Sequence, residues 1–291
     1  MTAVTASMVK ELRELTGLGM MDCKKALTES DGNVEVAIEA LRKSSALKAA
    51  KKADRTASEG LLGMRVADDG SFGVLVEVNT ETDFAARNEK FVAYVARVRD
   101  LAFERRTSDV AALMASGLEA EREGLVQGIG ENISVRRIST IAAAAGGKIS
   151  SYMHADNRKA TLIALSGGDD ELGRDLAMHV TAINPMVVSG EDVSADIVEK
   201  ERAIYSAQAQ DSGKPADIIA KMVEGRVRKY LAEVSLLEQP FVKDANVRVG
   251  QLLTQKKARC TGFIRFEVGE GIDKVEKDFA AEVAAQVRGQ G

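Results

Sequence analysis

One order of structural signals occurs twice along this chain, and it restricts the fold more than any other feature of the sequence. In the first copy, apolar segments within 61–78 flank the turn Asp68-Asp69-Gly70, and the connection at 79–84 leads into a helical pattern. In the second copy, apolar segments within 149–165 flank a turn at 155–157, and a Gly-Gly-Asp-Asp connection leads into another helical pattern. Because a short polar turn between two β-type segments indicates a hairpin, the sequence predicts a duplicated core.

Each copy is followed by one more β-type segment. Residues 132–138 follow the first copy and residues 261–268 follow the second, so each unit gains a third strand. Three antiparallel strands with helices on one face form an α+β arrangement. We therefore predict an α+β fold with two small antiparallel sheets, in core subdomains at 56–145 and 146–271.

Three helical patterns precede the core. Apolar residues recur at helical spacing within residues 1–43, and the glycines of Thr16-Gly17-Leu18-Gly19 permit a tight reversal between the first two helices. Residues 44–60 are rich in Ala and Lys and predict a solvated helical extension or linker. Residues 1–55 are thus predicted to be a three-helix module with a linker helix.

A second pair of helical patterns interrupts the second unit. Ser194 can cap a helix that reaches about Gln210, and Gly213-Lys214-Pro215 turns the chain. Apolar residues from 218 to 230 mark the returning helix, and those of the first helix recur seven apart. We predict an inserted helical hairpin, a coiled-coil arm at about 190–232, which is suited to pairing or to a further contact.

The composition favours a folded chain and excludes several classes of function. Hydrophobic residues make up 45% and charged residues 29% of the 291, and the net charge is −4, which argues against direct binding of nucleic acid. Cys23 and Cys260 support neither a disulfide framework nor a zinc site, and they fit a reducing compartment. Because the sequence has neither an apolar run of ~18–20 residues nor an export signal, we expect a cytoplasmic protein without a membrane anchor.

Few side chains could support catalysis. His154 and His179 are the only histidines, and neither has an evident partner by spacing. His179 is predicted to be a satisfied, partly buried side chain, whereas His154 beside a turn fits a functional or an ordinary surface role equally. The glycines at 128–130 and 146–148 fail as phosphate loops, and the carboxylates at 169–171 suit a helix start without an ion. We predict no enzyme, no cofactor and no metal site.

Two pairs of residues leave a choice between burial and contact with a partner. Asp83 and Phe84 stand where a strand ends and a helix begins. They could form a helix cap with Phe84 packed beneath the helix, or an exposed tip. Met20 and Met21 could complete a small core or project as adaptable contacts, and a three-helix module this small can hardly bury both.

Several long motifs point to one family. They are Val9 to Arg13, Thr16 to Leu27, Thr82-Asp83-Phe84, Ile129 to Asn132, Ser151 to His154, Met222 to Arg226, and Thr261 to Gly271. With these motifs the chain resembles bacterial elongation factor Ts along essentially its whole length. The resemblance implies that the chain is a guanine nucleotide exchange factor for elongation factor Tu. It also implies that the chain binds elongation factor Tu in the GDP-bound and nucleotide-free states. It also implies an N-terminal module of the ubiquitin-associated type, a duplicated core, a coiled-coil arm and a C-terminal helical module at 272–291.

The resemblance further implies which residues act on the partner. The segment from Thr82 to Ala85 carries the Asp-Phe pair that would intrude near the partner's magnesium site and dislocate the ion. The residues that would bind the partner elsewhere are Arg13, Met20, Met21, Ile129 and His154. Two differences stand out: Ala85 replaces the usual valine, and Ala155-Asp156 follow His154 where Gly-Ala is common. The arm could join two such complexes into a dimer of heterodimers.

An alternative function is a ribosome- or chain-associated adaptor. It would use the N-terminal module and the basic residues of the extension at 48–55. This alternative leaves the duplicated core and the loop Thr82-Asp83-Phe84 without a purpose.

Overall fold

The computed structural model of the protein describes residues 4–210 and 215–273. Its N-terminal end consists of helices α1 (Ala6–Thr16), α2 (Met20–Glu29) and α3 (Val34–Ala50). The Thr5 and Asn33 side chains cap α1 and α3, and Gly17, with a φ of 68°, ends α1 in the left-handed conformation. The apolar faces meet in a small core around Leu12 and Leu27. The three helices predicted for this region are confirmed.

The first half of the core is a three-stranded antiparallel sheet in the order β1-β2-β3. Its strands are β1 (Glu59–Val66), β2 (Phe72–Thr80) and β3 (Ile133–Ala142). Between β2 and β3 lie α4 (Asp83–Ala86), α5 (Glu89–Arg105), α6 (Val110–Leu113) and α7 (Glu119–Ile129). The helical spacing of Phe91, Val95, Val98 and Ala102 predicts the apolar face of α5. This face packs on the central strand β2, which is buried along its whole length.

The second half has the same strand order. Strands β4 (Gly147–Met153) and β5 (Lys159–Ser166) form the hairpin. Three helices follow: α8 (Asp170–Ile183), α9 (Ala195–Gln210) and α10 (Ala216–Val234). After them come a short hairpin of β6 (Pro240–Phe241) and β7 (Asp244–Arg248) and the helix α11 (Val249–Gln255). The third strand, β8 (Arg259–Glu267), pairs with β5, as β3 pairs with β2. The α+β class and the two small antiparallel sheets are confirmed.

The two sheets stack against each other. Leu62 and Leu75 of the first sheet share an apolar core with Leu162 and Phe266 of the second. The strands approach closely here, because a Cβ atom added at Gly73 would lie 3.1 Å from the Leu162 side chain. Each sheet therefore has one face on the other sheet and one face under a helix, α5 for the first and α8 for the second.

A buried carboxylate fastens the end of β8 to the first sheet. Glu77 is fully buried and accepts hydrogen bonds from the side chains of Arg136 and Arg137 at 3.1 and 2.6 Å. It also accepts bonds from Asn79 Nδ2 at 3.1 Å and from the backbone N–H of Gly269 at 2.8 Å. The charge is thus paired and its oxygens are occupied, as burial of an ion requires.

The extension after the third helix departs from its prediction. It is helical through Ala50, but it is not solvated on all sides, because Ser45 and Ala49 are buried. Ala49 joins the core of the first sheet, and the Ser45 hydroxyl donates to Gln127 Oε1 of α7 at 2.5 Å. Because Ser45 and Ala49 have small side chains, α3 can approach α7 closely. This contact holds the N-terminal helices against the core.

Helices α9 and α10 pack side by side at the positions predicted for the inserted pair. Their contact contains Ala209, Val223 and Val227, and an ion pair joins Arg202 to Glu224. The predicted turn residues Gly213 and Lys214, and nearly all of the C-terminal module at 272–291, lie outside the described residues. Among the residues that are described, no helix has the length and apolar character needed to cross a membrane.

Candidate partner-binding surface

The short helix α4 carries Asp83 and Phe84 at the protein surface. Thr82 caps this helix, because its Oγ1 accepts a hydrogen bond from the Ala85 N–H at 3.2 Å. Ala85 and Ala86 are buried and fix one side of the helix to the core, whereas Phe84 is 78% exposed. Asp83 is therefore not the cap and Phe84 is not packed beneath the next helix. Of the two alternatives for this pair, the structure favours the exposed tip.

The carboxylate of Asp83 has one weak partner within its own helix turn. Arg87 Nη2 lies 2.8 Å from Asp83 Oδ2, and the two side chains are 76% and 45% exposed, respectively. Exposed ion pairs contribute only about 0–1 kcal/mol. A partner with a stronger cation could therefore take this carboxylate at little cost.

The N-terminal helices carry a second exposed apolar group. Met20 and Met21 are 56% and 76% exposed at the start of α2, so both project from the module. Lys90, at the start of α5, donates a hydrogen bond to the Gly17 carbonyl at 2.5 Å. This bond ties the turn before Met20 to the start of α5, the helix that follows α4 along the chain.

Arg13 and Ile129 lie near the C-terminal ends of α1 and α7. Arg13 is exposed in the last turn of α1, and its carbonyl accepts the N–H of Gly17 that ends the helix. Ile129 is the last residue of α7, and its side chain packs partly against the core. Two residues before Ile129, Gln127 donates a hydrogen bond from Nε2 to Asp22 Oδ2 of α2 at 3.1 Å. Helix α7 thus connects the α2 end of the module to the core.

His154 lies at the same end of the stacked sheets. Its imidazole is exposed, and Nδ1 lies 2.9 Å from Asp156 Oδ1. The turn after it is tied to the beginning of β1, because the Leu62 N–H donates to the Asn157 carbonyl at 2.9 Å. The first residue of β1 pairs with Thr80, which directly precedes the α4 segment. The sheet pairing therefore brings His154 to the end of the molecule that carries the tip.

Asp156, in the turn that follows His154, contacts the imidazole directly. Burial, the largest influence, raises the pKa of Asp156, but hydrogen bonds from His154 and from the Arg158 N–H lower it overall. The carboxylate is therefore charged at neutral pH and can orient the imidazole. This contact depends on the aspartate at position 156.

The other histidine is structural. His179 is fully buried, with Nε2 3.0 Å from Gln239 Oε1 and Nδ1 accepting the Val242 N–H at 3.1 Å. Burial lowers its pKa, and the bond to Gln239 opposes this effect. The predicted satisfied histidine is confirmed. In the described part of the chain, no group of three or more His, Cys, Asp or Glu residues could hold a metal ion.

Comparison with known proteins shows the family of the chain. A family model described as elongation factor TS matches residues 81–270. The chain is 57% identical over 289 residues to elongation factor Ts of Hahella chejuensis, covering 99% of this chain and 100% of that protein. It is 59% identical over 285 residues to elongation factor Ts of Saccharophagus degradans, covering 98% of each. This chain belongs to the elongation factor Ts family.

The similarity to elongation factor Ts extends over both the α4 segment and the N-terminal helices. The family model begins at Glu81 and so includes the tip and His154, and the full-length relatives extend the similarity over the N-terminal helices. The membership favours nucleotide exchange over the adaptor alternative. Three cations of the basic extension on which the adaptor depends also have partners within the chain. Lys48 contacts Asp22, Lys52 contacts the Gly130 carbonyl, and Arg55 contacts Glu81.

Sequence reasoning misses one residue that shapes this elongation factor Ts surface. Glu131 lies in the motif from Ile129 to Asn132, yet the sequence assigns it no role. Its carboxylate accepts hydrogen bonds from Thr80 Oγ1, Thr82 N and Thr82 Oγ1 at 3.0, 2.9 and 2.6 Å. No local pattern could reveal this contact, because Thr82 and Glu131 are 49 residues apart.

Proposed function

We propose that this chain uses the exposed helix α4 to open the nucleotide site of elongation factor Tu. Family membership makes the chain a nucleotide exchange factor for that protein in translation elongation. The observation that supports a role for the tip is Phe84, which is 78% exposed on a helix whose other side is fixed in the core. A rigid apolar projection of this kind suits insertion into a partner.

The proposed action is a displacement of the ligands that hold magnesium and phosphate in the partner. Magnesium requires near-octahedral oxygen ligands at short distances, so a small shift of those ligands weakens the ion's bridge to the phosphates. The segment from Thr82 to Ala85 would enter this region. Full burial of Phe84 contributes ~1.5–3 kcal/mol, and Asp83 brings a negative charge towards groups that hold the metal.

The tip needs support from the rest of the surface. An acceleration of release by ~10⁴ requires about 5.5 kcal/mol of differential stabilisation, more than Phe84 alone can supply. We assign the remaining grip to the other residues that the family resemblance implies for partner binding. They are Arg13, Met20, Met21 and His154, which are exposed, and Ile129, which is partly buried.

The helical parts receive finer roles in the same proposal. Helices α1 to α3 act as a ubiquitin-associated-like module within residues 1–55, and α9 with α10 forms the coiled-coil arm of the second core subdomain. Subdomains at 56–145 and 146–271 form the duplicated core, and 272–291 form a C-terminal helical module. The protein acts in the cytoplasm without a catalytic group, a cofactor or a direct nucleic-acid contact, and the arm can pair two complexes with elongation factor Tu.

The exchange function is tested by the release of fluorescent GDP from purified elongation factor Tu. We expect substoichiometric amounts of the chain to accelerate release in the presence of excess unlabelled nucleotide. Because coupling between two ligands is reciprocal, GDP must also weaken binding of the chain by the factor by which the chain weakens GDP. Release that is unchanged at micromolar concentration, or equal affinity for the GDP-bound and nucleotide-free partner, would overturn the assignment.

A further inference from the structure

Helix α4 lacks the internal contact that usually completes a short helix start. A helix of this length is not stable by itself, so its position depends on contacts from elsewhere. In a capping box, a Glu or Gln at the third helical position accepts the N–H of the cap residue. Here the cap is Thr82 and the third helical residue is Ala85, which has no polar side chain. The Thr82 N–H therefore needs an acceptor from another part of the chain.

Glu131 provides that acceptor. Its Oε2 accepts the Thr82 N–H at 2.9 Å and the Thr80 hydroxyl at 3.0 Å, and its Oε1 accepts the Thr82 hydroxyl at 2.6 Å. The Thr82 oxygen in turn accepts the Ala85 N–H. The Thr82 hydroxyl therefore points its proton at the Glu131 carboxylate and a lone pair at the Ala85 N–H. Glu131 thus fixes both the backbone that enters α4 and the side chain that caps it.

The segment around Glu131 is itself held from two directions. The Asn132 N–H donates to Glu81 Oε1 at 2.7 Å, next to the residues that Glu131 binds. On the other side, Asn132 Nδ2 donates to the carbonyls of Ala53 and Arg55 at 3.2 and 2.8 Å. The carboxylate is therefore presented by a backbone that is fixed to the first sheet and to the end of the N-terminal extension.

We propose that Glu131 is a positioning residue for nucleotide exchange, which holds α4 so that Phe84 is already directed outward before the partner arrives. This inference rests on the proposed function of the tip. Ordering the tip in advance lowers the cost of binding in the productive geometry. A carboxylate suits the task because hydrogen bonds to an ionised acceptor are stronger than those between neutral groups.

The first test compares two substitutions at this position. Glu131→Ala removes every acceptor, and we expect the maximal rate of GDP release to fall about tenfold or more while the half-saturating concentration changes less than about threefold. Glu131→Gln keeps a carbonyl oxygen for Thr82 N and Thr80, and its amide can donate to Thr82 Oγ1, so most of the rate should return. Glu121→Ala, an exposed change on helix α7, is the matched control and should behave as the unaltered protein.

The second test separates positioning from a general structural effect. In a chain that already carries Asp83→Ala and Phe84→Ala, adding Glu131→Ala should reduce the release rate no further, because the tip it positions is gone. In otherwise unaltered protein, Glu131→Ala should speed amide hydrogen exchange within 82–86 and leave the exchange of the β2 amides unchanged. An additive loss of rate, or faster exchange throughout the first sheet, would overturn the positioning role.

The outcomes also distinguish this inference from the function on which it rests. If the unaltered chain accelerates GDP release and Glu131→Ala does so equally well, the positioning role is wrong and the exchange function stands. If the unaltered chain gives no acceleration, the exchange function is wrong. Hydrogen exchange within 82–86 still decides in that case whether Glu131 orders the tip, because this readout needs no partner.

Discussion

The buried carboxylate of Glu77 gives the sharpest prediction about stability. The side chain is fully buried, and four hydrogen bonds end on its two oxygens, from Arg136, Arg137, Asn79 and the Gly269 N–H. Replacing Glu77 by alanine leaves these donors without their acceptor. Removing one partner of a buried ion pair costs about 3–5 kcal/mol. Because the two arginine side chains are 27% and 30% exposed and can be partly rehydrated, we expect the lower end of this range.

Thermal unfolding followed by circular dichroism measures this cost. One kcal/mol shifts the melting temperature by roughly 2–4 °C for a domain of 150–250 residues, so Glu77→Ala should melt roughly 6–12 °C lower. Glu77→Gln keeps one acceptor oxygen and should lose less. Glu104→Ala, on the exposed side of α5, is the control and should stay close to the unaltered protein. A Glu77→Ala melting temperature within 2 °C of that control would refute the argument that this carboxylate fastens the sheets.

Two further predictions concern the methionines and the buried histidine. Met20→Ala with Met21→Ala should weaken binding of nucleotide-free elongation factor Tu by roughly tenfold or more, measured by calorimetry, with little change in melting temperature because both side chains are exposed. Unchanged affinity would remove these residues from the proposed grip. Because burial lowers the pKa of His179, the unfolded chain binds more protons than the native one below about pH 6.5, so stability should fall as the pH drops through that value. His179→Asn should show a shallower fall in melting temperature from pH 7.5 to 5.5, and an equally steep one would contradict this account.

Local signals were sufficient for much of the fold. The turns at 68–70 and 155–157 each lie between apolar segments, so both hairpins could be predicted without knowledge of the rest of the chain. The helical spacing of Phe91, Val95 and Val98 likewise identified the buried face of α5. Such patterns repeat within a few residues, and that is the range over which sequence periodicity is informative.

Contacts between distant residues could not be predicted in this way. The extension was expected to be solvated because it is rich in Ala and Lys and has Leu47 as its one large apolar residue before Gly60, yet the small Ser45 and Ala49 are buried against the core and α7. The acceptor for Thr82 lies at Glu131, and no periodicity connects positions so far apart. Glu77 stands between Val76 and Val78 in β2, and its burial depends on arginines from β3. Stacking of the two sheets has the same non-local origin.

The candidate surface shows the same limit. Spacing alone left Asp83 and Phe84 open between a cap with a packed ring and an exposed tip, and only the family resemblance suggested the tip. The structure gives the physical reason, since Thr82 takes the cap and the small Ala85 and Ala86 take the buried side of α4. Phe84 is left with the solvent side of the helix.

The rate of GDP release from elongation factor Tu at saturating concentrations of the chain tests the role of this tip most directly. Asp83→Ala combined with Phe84→Ala removes exposed groups only, so the fold and most of the affinity should remain. Ile183→Ala, which shortens an exposed apolar side chain at the end of α8, is the matched control. We expect the double variant to lose about tenfold or more of the maximal rate while the control keeps it. A double variant that binds the partner and releases GDP as fast as the control would contradict the claim that Asp83 and Phe84 open the nucleotide site.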